Sequence, residues 1–441
     1  MIWGMFSIIA FNLTDAYFVG KLGTAHLAAL SFTFPVVMTF GSLAVGLGVG
    51  TCSVLSRAIG EGDHRKVQTL ATDSLTLSLL FVGVFILIGV FTIDPLFGAL
   101  GADAETLPLV RQYMRIWYLG MMFLVVPMVG NNAIRASGDT INPSLIMTVS
   151  AVINIVLDPI LIFGWGPIPR LEIQGAAIAT VFARAISMAA SLAILHYRKK
   201  MLVFRVPAVR SVLDSWRQIL RVGLPAAGTY AIGPVAIGLV TAMLASFGAA
   251  AVAAFGVASR IEGFALIAMF GLSTSVAPFV GQNYGAALHH RVRRGLDLAF
   301  LFSVVWGVAL AVVLAAVRTP LVGLFDTNPE VIRIASLYLL IVPVSFGAQG
   351  IMLITSSSFN ALGRPLPSAA LTLVRMFVLY VPLALVGKLV LGPVGIFAAA
   401  SIANFIAAFW SIKWIARVCV ANGAQASGCR GPVPESSQSP G

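Results

Sequence analysis

Asn154 and Asp158 stand four residues apart, a spacing that puts both side chains on one face of a helix. Pro159 follows; it has no N–H for the carbonyl of Ile155, which leaves a free acceptor beside Asp158. Asp15, Thr180 and Tyr113 are further polar groups inside apolar runs of the same half of the chain. Two carboxylates, an amide, a hydroxyl and a spare carbonyl suit a hard monovalent cation, such as sodium, or a proton shared between carboxylates. Two near carboxylates in low-dielectric surroundings cannot both stay ionised cheaply, so neutralising them would remove repulsion and let the helix that carries Asp15 repack. A plainer reading stands beside this one. Asp15 is near a helix end and would face interfacial water, and Asn154–Asp158 would be a polar packing pair between helices. Spacing alone does not choose between them.

The elements that must position these groups follow from composition. Of 441 residues, 59% are hydrophobic and 10% charged, and the mean hydropathy is +0.97. A soluble domain carries about 25% charged residues, so the chain reads as an all-α polytopic membrane protein. Disordered, collagenous, disulfide-scaffold and secreted soluble classes are excluded. With about 20 residues per span, apolar runs predict twelve helices, near 1–19, 27–56, 69–93, 109–134, 144–164, 174–195, 222–246, 251–283, 296–317, 334–360, 368–387 and 394–416. No segment alternates as an outer-membrane barrel strand requires.

The net charge of +12 does not point to nucleic acid, because the cations gather in loops. Even-numbered connections and the tail carry 18 of the 28 Lys and Arg, against 5 in odd-numbered connections. That bias predicts a cytoplasmic basic face with both termini inside. The reading divides the chain into an N-terminal six-helix lobe (1–195), a basic cytoplasmic connector (196–221), a C-terminal six-helix lobe (222–418) and a disordered tail (419–441). Cys52, Cys419 and Cys429 form neither a disulfide framework nor a metal spacing. No signal peptide is expected.

The halves are related. A constant shift of 225 residues superposes Gly23 on Gly248, Gly60 on Gly285, His64 on His289, Pro95 on Pro320, Tyr113 on Tyr338, Ala136 on Ala361 and Gly138 on Gly363. Each half holds an even number of helices, so the repeat is parallel, an arrangement that places substrate between the halves. Under the shift Asp15 falls on Val240 and the Asp158 region on Val381-Pro382. Shared architecture would appear in both halves, so acids confined to one half point to function. Counting inward at about 1.5 Å per residue places Asp15, Asp158, Thr180 and Tyr113 at one depth, roughly 6–9 Å below the less basic face.

A charge at the bilayer centre costs about 2.5–3.5 kcal/mol, so the other ionisable groups in the runs need reasons. Arg260 and Glu262 are candidates to line a cleft; Glu262 reads either as a second cation carboxylate or as the partner of an arginine that holds helices together. Arg184 and Arg375 read as bridges between helices or as balance for buried acids, and Asp73 and Asp297 as support for helix N-termini. No phosphate-binding glycine loop is present, so neither an enzyme nor an ATP-driven pump is expected, and no cofactor.

The sequence resembles the multidrug and toxic compound extrusion (MATE) transporters, nearer the bacterial branch related to DNA-damage-inducible protein F. The resemblance is carried by Asp15-Ala-Tyr-Phe-Val-Gly-Lys-Leu-Gly23, Arg135-Ala-Ser-Gly-Asp-Thr140, Asn154-Ile-Val-Leu-Asp-Pro159, Gly175-Ala-Ala-Ile-Ala-Thr180, Pro278-Phe-Val-Gly-Gln-Asn-Tyr-Gly285 and Ala361-Leu-Gly-Arg364, and it covers nearly the whole chain. It implies two six-helix lobes in a V around a cleft that alternates between membrane faces. It also implies a bacterial inner-membrane antiporter, a monomer, exporting organic and often cationic compounds against H+ or Na+. The family's cation site carries over to Asp15, Asn154, Asp158 and Thr180, with the carbonyl of Ala176 as a further ligand. Tyr113 and Asn131 match cleft-lining positions. One branch carries an acid after the Gly-Leu-Pro motif of helix 7; here Gly223-Leu-Pro225 leads to Gly233, so coupling of that kind is not expected. A lipid-linked oligosaccharide flippase of the same superfold is the alternative. It should line its cleft with several basic residues; only Arg184, Arg260 and Arg375 qualify here, and the N-terminal half is acidic, which favours export of cations.

Overall fold

The computed structural model describes residues 1–167, 169–203 and 208–428; the side chains of residues 24, 25 and 419–428 lie outside the description. Among these residues there are helices and no strands. In the first half they are α1 (Ile2–Gly20), α2 (Thr24–Glu61), α3 (His64–Ala99), α4 (Thr106–Leu119), α5 (Met122–Ala136), α6 (Ile141–Phe163) and α7 (Glu172–Ala193), which runs on as a π turn (Ile194–Arg198). In the second half they are α8 (Val209–Ala245), α9 (Ala249–Ala265), α10 (Ile267–Gly285), α11 (His289–Gly323), α12 (Pro329–Ile341), α13 (Phe346–Ala361), α14 (Pro365–Leu373), α15 (Val381–Leu391) and α16 (Pro393–Gly428). A 3-10 turn joins α12 to α13 and a π turn joins α14 to α15. Among the described residues ten stretches are long and apolar enough to cross a bilayer, and twelve when the bent pairs α4–α5 (44°) and α9–α10 (45°) are each one span.

The two halves turn corners alike. Gly23 and Gly248, superposed by the 225-residue shift, hold φ of 124° and 100°, a region that glycine enters without Cβ strain. α2 ends at Gly62 with φ 78°, and Asp63 caps α3 by accepting the Lys66 N–H at 2.9 Å. Asn328 does the same for α12, accepting the Glu330 N–H at 2.9 Å, with Pro329 at the first helical position. The shift also places Gly120, at the α4–α5 bend, on Ser345, at the α12–α13 break. The α9–α10 bend and the π turn before α15 have no counterpart, since α2 and α6 are each a single helix.

One apolar core packs α2–α5, α7 and the start of α8 around Leu55, Phe97, Met114, Tyr118 and Ile134. A second binds α8–α13 and α16 around Leu244, Met269, Phe346 and Phe397. The outer surface keeps large apolar side chains exposed, such as Leu87, Phe91, Leu301, Val305 and Leu389. Such a surface suits lipid tails rather than water.

The lobes meet at the basic face through a pseudo-twofold seam. A Cβ on Gly60 would overlap the Gln282 carbonyl, and a Cβ on Gly285 would overlap the Arg57 carbonyl. The shift superposes Arg57 on Gln282 as it does Gly60 on Gly285, so α2 and α10 make the same contact reciprocally. Beside it the Gln282 side chain donates to the Ala136 carbonyl at the end of α5, 2.7 Å away. The Arg57 guanidinium lies against Gly363, just past the end of α13. Ser53 donates to the Asn360 carbonyl across the same seam.

Two segment boundaries differ from the sequence reading. Residues 209–221 of the expected connector are the first turns of α8, because Ile219 is buried against the N-terminal core and the Trp216 indole donates to the Asp73 carbonyl at 3.0 Å. α16 runs on to Gly428, past the start of the expected tail; 429–441, like Arg205, lie outside the described residues. Asp73 and Asp297 are not in the first turns of α3 and α11, and Asp73 is buried while Asp297 is exposed.

Candidate functional site

Three helices of the N-terminal half bring the polar groups together. Asn154 and Asp158 are fully buried on α6, and the Asn154 amide donates to Asp158 Oδ1 at 3.0 Å and to Thr180 Oγ1 on α7 at 3.5 Å. Asp15 on α1 faces them closely enough for the two carboxylates to repel. Three oxygens are left without a donor: Asp15 Oδ1, Asn154 Oδ1 and Asp158 Oδ2. A buried acceptor without a partner is costly. Three converging ones fit a proton or a monovalent cation, each of which would satisfy them. Pro159 lies inside α6, one residue after Asp158. Ala176 is buried one turn above Thr180, packed with Val19 and Ile162. Among the described residues no group of three His, Cys, Asp or Glu is placed to hold a metal.

A cavity of about 600 Å³ lies between the lobes. Its walls come from α1, α2 and α5–α7 on one side and α8, α10 and α13 on the other. It ends one helical turn from Asp15 on α1, Asn154 on α6 and Thr180 on α7: at Phe11 and Asn12, Ser150 and Ala151, and Arg184 and Ser187. One turn is about 5.4 Å. Its other end rests on the seam, at Ser53, Arg135 and Asn360.

The structure sorts the sequence candidates into three places. Asp15, Asn154, Asp158 and Thr180 form one cluster. Tyr113 is buried in the N-terminal core within electrostatic reach of Asp15, Asp158 and Arg184, and does not line the cavity. Asn131 does line it. Arg260 and Glu262 do not, contrary to the cleft-lining expectation. Arg260 is exposed. Glu262 points from α9 into the C-terminal core, because Tyr338 on α12 donates to it, as does Gln349 on α13 at 3.4 Å. Arg375 lies within electrostatic range of Glu262 and donates to Asn404 Oδ1 at 2.8 Å, and Asn404 donates to Ser345 at 2.9 Å. The hydrogen-bond partners of Glu262 are thus Tyr338 and Gln349, and Arg375, the arginine that comes nearest to the expected partner, is hydrogen-bonded to Asn404 instead.

Of the two cavity arginines, Arg184 is one of three that the sequence offers to a cleft, although it reads first as a bridge between helices, whereas Arg135 reads as a loop cation. Arg135 is the penultimate residue of α5, four residues after Asn131, and that i, i+4 relation was the available signal. Arg184 follows Thr180 by the same interval on α7.

Two halves of like topology around a central cavity, in a chain that crosses the bilayer many times, define a membrane transporter rather than an enzyme. The MatE family model matches residues 1–160 and 225–386, and the chain belongs to that family. A FAD transporter of Shewanella oneidensis is 39% identical over 94% of this chain and 92% of its own. A multidrug export protein, MepA, of Staphylococcus haemolyticus is 28% identical over 93% of this chain and 89% of its own. The crystal structure of the Vibrio cholerae MATE transporter VcmN in its bent form superposes with a TM-score of 0.91 at 31% identity, covering 96% of this chain and 95% of that one.

Proposed function

We propose that this transporter is a secondary antiporter that exports an organic solute through the interlobe cavity in exchange for H+ or Na+. The observation that carries the reading is the set of three buried, donorless oxygens on α1 and α6, those of Asp15 and Asn154 one turn from the cavity and that of Asp158 two. A proton or cation there removes the repulsion between Asp15 and Asp158 and lets α1 repack, and α1 is also a cavity wall. The seam closes the basic face. With that face cytoplasmic in a bacterial inner membrane, the structure reads as open to the outside, the state in which solute leaves and the ion enters. Both termini are then inside. Two solute classes come from relatives, FAD from the Shewanella protein and drugs from MepA.

The test is transport in proteoliposomes with sodium and pH gradients imposed separately. Uptake that follows one gradient and is lost in Asp158→Asn supports the reading; uptake indifferent to both gradients overturns it. For orientation, single cysteines at positions 199 and 290 should escape external labelling in intact cells, while one at position 104 is reached. Labelling at 199 reverses the topology.

A further inference from the structure

The cavity has the opposite charge to the one that export of cations leads one to expect. Arg135 and Arg184 line it, and no aspartate or glutamate does. Every ion pair among the described residues involves other groups: His26, Lys66, Arg111, Arg170, Lys199 and Arg333 are the cations. Arg135 donates one N–H to Asn132 Oδ1 at 2.5 Å, and its Nε is buried without an acceptor. Arg184 lies over the Phe11 ring at 5.3 Å, and its Nε is also buried without an acceptor. A guanidinium has five N–H donors in a planar fork that matches phosphate. Holding two of them beside a cavity with most donors unused is costly unless an anion arrives to take them.

The rest of the wall fits a ring system. Phe11, Tyr230, Pro127 and Met128 offer apolar and aromatic surface. Asn131 and Asn360 add polar side chains to the lining, and the Oδ1 of each is buried without a donor. About 600 Å³ is within the range of ligand pockets, roughly 300–1,000 Å³.

We propose that Arg135 and Arg184 form the anion-recognising pair of the cavity, and that its solute is a phosphate-bearing compound with a planar nitrogen heterocycle. This rests on the cavity being the solute site of the proposed exporter and names the class of that solute. Arg135 grips from the seam end and Arg184 from the end nearest the carboxylate cluster, so the solute spans the space between gate and ion site.

Binding to the purified full chain in detergent, with no gradient, tests the assignment separately from coupling. The probes are FAD, riboflavin, which has the same ring without phosphate, and the cation ethidium, with ADP and adenosine as competitors. FAD should bind at least about tenfold more tightly than riboflavin, and ADP should displace it where adenosine does not. Arg135→Gln and Arg184→Gln should each remove most of that preference, seen as a fall in the ratio of FAD to riboflavin affinity, and Arg135→Lys should keep part of it. The competitor comparison uses unmodified protein, so it holds even where a variant fails to fold. Equal affinity for FAD and riboflavin, or ethidium binding more tightly than both, overturns the assignment. If ethidium is then carried in proteoliposomes along an ion gradient, the exporter reading stands and only the solute class falls.

Discussion

The repeat-related tyrosines Tyr113 and Tyr338 each stand near an acid of their own half, the acids being unrelated by the repeat, and the two halves treat the acid oppositely. Tyr338 in the C-terminal half donates to Glu262, Gln349 adds a second hydrogen bond, and Arg375 stands nearby. Tyr113 in the N-terminal half lies near Asp15 and Asp158 and makes no hydrogen bond among the described residues; the acids keep two oxygens without donors. A carboxylate whose lone pairs are filled by the protein is a structural strut, with little to gain from an ion. A carboxylate pair left short of donors gains much from one. The same fold, used twice, thus supports one site that is satisfied and one that is poised.

The strongest test of that contrast is functional. Asp158→Asn should reduce ion-driven solute uptake in proteoliposomes to the level of empty vesicles, and Asp15→Asn should do the same. Glu262→Gln should keep its ion dependence. The reverse pattern would move the coupling site to the C-terminal half.

The seam comes next. It is the one place where the halves behave alike, so Gly60→Leu and Gly285→Leu should impair it equally. Either side chain would force α2 and α10 apart at the basic face, and transport should fall about tenfold or more in both. A loss confined to one variant would show that closure is asymmetric.

A smaller effect separates the tyrosines. Tyr338→Phe leaves Glu262 short of a donor and should cost about 1–3 kcal/mol, seen as a lower melting temperature of the purified protein. Tyr113→Phe breaks no hydrogen bond and should cost under about 1 kcal/mol. Equal losses would contradict the reading of Glu262 as the satisfied acid.

The smallest effect lies in the loop after α5. Asp139 pairs with Lys199 at 2.9 Å. Burial pushes its carboxyl up, but hydrogen bonds from Lys199 and Asn142 outweigh burial and hold it below the usual carboxylate range. The folded value is depressed, so the stabilisation is present above the ordinary value, near pH 4, and is lost as pH falls through the lowered one. Asp139→Asn should therefore destabilise by at most about 1 kcal/mol at pH 7 and flatten the fall in melting temperature below about pH 4.

Much of this was legible in the chain. Apolar runs of bilayer length and scarce charges dictate a helical bundle, since lipid leaves backbone groups no other partner. The i, i+4 relation of Asn154 and Asp158 is set by helix geometry, and the structure adds a hydrogen bond between them. The 225-residue shift anticipated turns at Gly23 and Gly248 that share a backbone conformation. Depth counting put Tyr113 level with the acids, near which it lies.

What one helix does to itself, the sequence by itself determined: which segments span, which residues share a face, and how far along a span each polar group sits. Those are properties of local geometry and hydrophobicity. Which face meets which neighbour was decided only by the tertiary structure, because it depends on how helices rotate against one another. That rotation turned Glu262 toward Tyr338 instead of the cleft and brought Arg135 and Arg184, from α5 and α7, to one cavity. Nothing in a linear charge count distinguishes a loop arginine from one that faces a binding space, since the difference lies in the partners that packing withholds.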